Sequence, residues 1–121
     1  MKSTYLIITT VIALFLITLP SCEAQQITNA ATDTVHIYGN CGMCEKTIEK
    51  SALVEGEAMA DWDKNTDMAV ITYDTTKTTI DEVLKRIADA GYDNELYRAP
   101  DKVYNKLHGC CQYDRKPEEQ E

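Results

Sequence analysis

Hydrophobic and polar positions change period several times along this chain, and each change marks an element. Residues 34–38 alternate, with Val35 and Ile37 on one face and His36 and Tyr38 on the other, which predicts a half-buried strand. Gly39 and Gly42 interrupt the alternation and permit a tight loop. From about Met43 the period becomes helical. Cys44, Ile48 and Ala52 recur at i, i+4 and i+8, while Glu45, Lys46, Glu49 and Lys50 take the polar side, and Gly56 is expected to end the helix. Alternation returns in Ala58, Ala60 and Trp62 against Asp61 and Asp63, and again in Ala69, Ile71 and Tyr73 against Val70 and Thr72. Lys64-Asn65-Thr66 between these runs reads as a hairpin turn. A second helix follows. Thr79 and Glu82 have capping-box spacing, Ile80, Val83, Leu84 and Ile87 form one stripe, and Gly91 stands where a left-handed C-cap is needed. A last short strand is expected at 95–98, before Pro100.

The predicted order is strand, helix, strand, strand, helix, strand. With right-handed crossovers it defines an α+β, ferredoxin-like βαββαβ sandwich, in which a four-stranded antiparallel sheet carries two helices on one face. A short C-terminal helical extension follows, with Asp101 as its cap, Val103, Tyr104 and Leu107 as its apolar side and Gly109 as its end.

The amino terminus suggests where such a domain resides. Lys2 precedes a mostly apolar, uncharged stretch, 5–19, of signal-peptide length and shorter than the roughly 20 residues of a membrane-spanning helix. The stretch closes on Leu19-Pro20-Ser21-Cys22, which resembles the lipobox of bacterial lipoproteins. That resemblance implies that Cys22 is acylated, becomes the first mature residue and holds the protein to a membrane facing the periplasm. The division expected is a signal peptide at 1–21, a flexible tether at 22–32, one small domain at 33–99, and an extension at 100–121 with adjacent cysteines and an acidic tail, disordered from 116 onward.

Charge narrows the partners. The formal balance is −8, and loss of Lys2 with the signal would make it −9. An acidic chain has no electrostatic footprint for nucleic acid and no basic patch for anionic lipid, so any charge-steered protein partner should offer a basic face. Asp61, Asp63 and Asp67 could form an acidic rim for it or simply solvate the hairpin, and His36 reads as surface.

Beyond Cys22 the cysteines form two close pairs, Cys41/Cys44 and Cys110/Cys111. An even count in an exported chain is compatible with disulfides, and close pairs also suit metal. Cys41 and Cys44 sit between a strand and a helix start, where partial positive charge and free N–H groups favour a thiolate, so that losing a proton to a metal is easier at neutral pH. Two soft sulfurs favour Cu(I), or another thiophilic ion, over Mg²⁺ or Ca²⁺, whereas structural zinc normally takes four ligands. The same pair could instead be a redox couple with Cys41 as nucleophile, making the chain a thiol-disulfide oxidoreductase, or a structural disulfide.

Cys41-Gly-Met-Cys44, followed by a helix, a hairpin, a capped helix and Gly91-Tyr92-Asp93, is similar to the heavy-metal-associated domain family, which includes copper chaperones, domains of metal-pumping ATPases and periplasmic mercury-binding proteins. The similarity spans about 33–99. It implies a non-catalytic protein that holds Cu(I), or Zn, Hg or Cd, at Cys41 and Cys44 and passes it by thiol exchange to a metal-transport ATPase or efflux component. It also brings Tyr92 near the metal loop, where the ring either supports the site or packs on the first helix. One departure stands out: the family's methionine two residues before the first cysteine is replaced by Gly39, and Met43 lies between the cysteines instead.

Cys110 and Cys111 lie beyond that similarity. Adjacent cysteines rarely bridge each other because the small ring distorts the peptide between them. A seven-residue helix of about 10 Å and a few extended residues of roughly 3.3 Å each could bring Cys110, Cys111 or His108 to the metal loop as a further ligand. An accessory disulfide, a separate metal site and an inert tail are the alternatives.

Overall fold

The computed structural model describes residues 26–118. The lipobox, Cys22 and the signal stretch lie outside them.

Strand β1 (Ala30–His36) pairs antiparallel with β3 (Met68–Asp74), and β3 pairs antiparallel with β2 (Ala58–Asp63). β3 is therefore the centre of a three-stranded sheet in the order β1-β3-β2. Its register sets Val35 opposite Ala69 and Ala60 opposite Ile71. These four, with Ile37, Ala58 and Trp62, are buried, whereas Met59, Asp61 and Val70 on the other face are exposed. Helix α1 (Gly42–Ala52) buries Cys44, Ile48 and Ala52, and helix α2 (Ile80–Asp89) buries Val83, Leu84, Ile87 and Ala88. Strands and helices share one core, so both helices cover the same face of the sheet. Each large aliphatic side chain buried there contributes on the order of 1.5–3 kcal/mol.

β1 begins at Ala30, so the stretch expected as a tether already pairs with β3 in its last residues. α1 ends at Ala52, and its C-cap Leu53 has extended backbone and an N–H still bonded to the Glu49 carbonyl; Gly56, expected as its stop, takes φ 69° in the turn that follows. The capping box of α2 is complete in both directions, and Gly91, at φ 110°, follows the C-cap Ala90.

The fourth strand does not form. Where 95–98 should pair with β1, there is a single bridge between Ile37 and Asn94. The Asn94 side chain accepts the N–H groups of Leu96 (3.2 Å) and Tyr97 (3.0 Å) and turns the chain away, while the His36 N–H on the β1 edge donates to the Glu95 carboxylate at 2.9 Å. A local side-chain turn has replaced the ladder.

The extension is shorter in helix and firmer in attachment than the sequence implies. Helix α3 (Asp101–Tyr104) has four residues, Pro100 is its N-cap, and Asp101 is its first residue, not its cap. Gly109 opens a 3-10 turn (Gly109–Cys111) where a helix end was expected. Leu107 lies over Gly91 so closely that a Cβ there would meet it at 3.0 Å. The segment beyond is held: the Lys116 N–H donates to the Asp93 carboxylate at 3.1 Å, and its ammonium to the Glu95 carbonyl at 3.1 Å. The disorder expected from 116 onward therefore does not begin there.

Candidate metal centre

The loop from β1 to α1 fixes two thiols. Cys41 is the N-cap of α1, in extended backbone (φ −150°, ψ 172°), and Cys44 lies in the first turn, buried against the core. Their Sγ atoms are 3.5 Å apart, and the Asn40 N–H donates to the Cys44 sulfur at 3.4 Å. Beneath the loop lies Trp62, whose indole N–H donates to the Ile37 carbonyl at 2.9 Å. A Cβ on residue 39 would stand 2.7 Å from the Trp62 ring, so the indole occupies the space that a side chain at Gly39 would need. A methionine at position 39 would therefore meet the indole that β2 supplies.

The extension supplies two more thiols. Cys111 Sγ lies 3.8 Å from Cys41 Sγ, and Cys110 Sγ lies 3.5 Å from it. Among the described residues, the metal-capable group that forms is Cys41, Cys44 and Cys111, with all three sulfurs within 4.8 Å of one another. All four cysteines among the described residues are free thiols, so none of the disulfide readings is realised among them. Cys110 is exposed and sits 3.7 Å from the Met43 Sδ, and its carbonyl accepts from the Asn40 side-chain amide at 3.4 Å, tying tail to loop. His108 is not a member of that three-sulfur group. Its ring is exposed, and its carbonyl accepts the Cys111 N–H at 2.7 Å.

The thiols differ in acidity. The Cys41 thiol is lowered to about 6, first by the backbone N–H of Cys44 at the helix start, with help from the Cys110 thiol and the Met43 N–H against some desolvation. No cap hydrogen bond of full geometry forms, so this is a loose cradle of N–H groups at a helix end. Cys111 is pushed well above the ordinary thiol range by burial and by the sulfur of Cys44, and Cys110 is raised chiefly by its neighbour Cys41. Cys41 is therefore readier to lose its proton than Cys110 or Cys111.

Tyr92 is fully buried and faces Cys111, and burial together with that contact raises its hydroxyl pKa. It also stacks on Tyr113 at 5.8 Å between ring centroids. Periodicity gave no hint of Tyr113 or Arg115, because the chain there is irregular. The Tyr113 hydroxyl accepts the Asp93 N–H and donates to the Gly91 carbonyl, both at 2.7 Å. Burial alone would raise the Asp93 carboxyl, but Arg115, bonded at 2.7 and 3.0 Å, with the Ala99 and Lys116 N–H groups, holds it below the ordinary range. These contacts seat the tail over the loop. In the hairpin, the Asp63 carboxylate accepts the Asn65 N–H and amide, and the Asp67 backbone carbonyl takes the Ile37 N–H at 2.8 Å.

Layered strands and helices with cysteines at the start of α1 define a domain of the heavy-metal-associated type. The CopZ metallochaperone shares this fold, with a TM-score of 0.50 and 23% identity over 53% of this chain and 98% of that one. The chain is 37% identical to the mercuric transport protein periplasmic component of Pseudomonas aeruginosa over 71 residues, which are 55% of this chain and 78% of the relative. It is 35% identical to that of Shigella flexneri over the same shares. The chain belongs to the family of these periplasmic mercuric transport components. No family model matches it.

Proposed function

We propose that this protein binds a soft, thiophilic metal ion through Cys41, Cys44 and Cys111 and carries or sequesters it in the cell envelope, without catalytic turnover. The observation that carries the reading is the third thiol. Cys111 meets the loop pair from 70 residues away, and three sulfurs each about 2.3 Å from one ion would stand roughly 4 Å apart, against about 4.6 Å for a linear pair. The separations of 3.5 and 3.8 Å about Cys41 are nearer the trigonal arrangement. Burial of Cys44 and Cys111 shields one side of the ion, while the half-exposed Cys41 leaves a route for a partner's thiol.

Cu(I) is the ion we favour, because an all-sulfur set with a thioether nearby selects it over harder ions. Hg(II) is the second reading, supported by the names of the relatives; Zn(II) and Cd(II) would want a fourth ligand. Cys22 serves as the lipid anchor, 1–21 as its signal, and the receiver is a metal-transport ATPase or efflux component with a basic docking face. Titration of the reduced protein against a Cu(I) chelator tests the binding. One tightly held ion, lost in a Cys41→Ser, Cys44→Ser variant, is expected; unchanged binding in that variant overturns the reading. A depressed Cys41 thiol also suits a thiol-disulfide oxidoreductase, and insulin reduction at a rate rivalling a thioredoxin would favour that class instead.

A further inference from the structure

Resting on that reading, we propose that the tail and loop build a second metal position, in which Cys110 and the Met43 thioether hold another Cu(I) and Cys41 bridges the two ions as a shared thiolate.

Five sulfurs converge at this end of the molecule, more than one ion can use. Cys41 is the hub, with Cys44, Cys110 and Cys111 at 3.5, 3.5 and 3.8 Å. On its buried side lie Cys44 and Cys111. On its exposed side, Cys110 is 3.5 Å from Cys41 and 3.7 Å from the Met43 Sδ, spacings similar to those of the buried group. A thiolate has lone pairs enough to bridge two soft ions, and thioether with thiolate is a donor pair that selects Cu(I).

Two independent features keep this outer pair in place. The Asn40 side-chain amide bonds to the Cys110 carbonyl, fixing the tail backbone against the loop. Met43, 46% exposed in the first turn of α1, reaches Cys110 with its thioether at 3.7 Å. The departure noted in the sequence therefore has a use: a methionine between the cysteines is on the outer side of the loop, where a methionine two residues before Cys41 would have met Trp62.

Charge balances. The first ion takes three thiolates and leaves a site of net charge −2; the second enters with the Cys110 thiolate and leaves it at −2. It releases one further proton, from Cys110, and no electron is exchanged.

Reduced Cys22→Ala protein, in which the thiols are the four of the site, should take up two Cu(I) per chain by native mass spectrometry. X-ray absorption of the doubly loaded form should show copper–copper scattering. Cys110→Ser and, separately, Met43→Leu should lower the count from two to one and abolish that scattering, with circular dichroism unchanged. A count of one in the parent protein, or of two in both variants, overturns the second position while leaving the first standing. A count of zero overturns the metal reading as well. A second equivalent found only in dimers by size-exclusion chromatography also overturns it, since the bridge is built within one chain.

Discussion

The guanidinium of Arg115 and the carboxylate of Asp93, twenty-two residues apart, form a two-point ion pair at 2.7 and 3.0 Å whose acidic partner is fully buried. The pair clamps the tail to the turn after α2, and that clamp puts Cys111 beside Cys41. Arg115 also lies over the Tyr104 ring at 4.6 Å and bonds to Asp101, so one side chain gathers the whole extension.

Arg115→Met should therefore cost roughly 3 kcal/mol, because the buried Asp93 carboxylate loses its two-point cation and keeps only the Ala99 and Lys116 N–H groups and Arg98 at 4.0 Å. Asp93 is depressed in the folded protein, so its contribution is full above the unfolded value of about 3.9 and is lost as pH falls below it. In the variant, burial with only Arg98 left as a cation at 4.0 Å raises Asp93, and acid unfolding should begin at higher pH. Urea melts between pH 3 and 7 will show whether the two profiles separate.

Cys41 should titrate near pH 6, seen as thiolate absorbance at 240 nm or as alkylation rate by iodoacetamide, and Cys41→Ser should remove the transition. A thiol whose folded pKa is lower than its unfolded one stabilises the fold fully above about pH 9, and this contribution is lost as pH falls through about 6. Metal affinity should weaken in the same acid direction, since protons compete for the thiolates. An alkylation midpoint near 9 would contradict the helix-end cradle.

Cys111→Ser should lower the sulfur coordination number of the first ion from three to two and weaken its binding. It should also speed transfer to a competing chelator. An unchanged coordination number by X-ray absorption removes Cys111 from the site.

Gly39→Ala should destabilise by roughly 1–3 kcal/mol through overpacking against the indole, because its Cβ would stand 2.7 Å from the Trp62 ring. Pairing it with Trp62→Leu should recover part of that loss, so the double variant should be more stable than additivity allows. Additive effects would show that the two positions do not share the space.

Wild-type protein should partition with membranes carrying an acyl chain on Cys22, whereas Cys22→Ala should remain unprocessed and unlipidated. A mature amino terminus elsewhere, found by mass spectrometry without lipid, would refute the lipobox.

Local signals were enough for much of this protein. Alternation assigned β2 and β3 and the buried face of β1, the Thr79–Glu82 box started α2, and the spacing of Cys41 and Cys44 placed two thiols at a helix start. These are properties of residues a few positions apart, which one strand or one helical turn makes neighbours whatever the rest does. The tertiary structure decided the rest. Asn94 and Glu95 bond through their side chains and dissolve a fourth strand that the pattern at 95–98 implied. Trp62, from β2, fills the space beneath the loop that a side chain at Gly39 would need. Whether Cys110, Cys111 or His108 reached the loop depended on Tyr113 and Arg115 finding Gly91 and Asp93, contacts that no periodicity encodes because the segment carrying them is irregular. A four-residue helix could not span that distance as a rod, so burial of an ion pair and two stacked tyrosines, not helix length, delivers the third thiol.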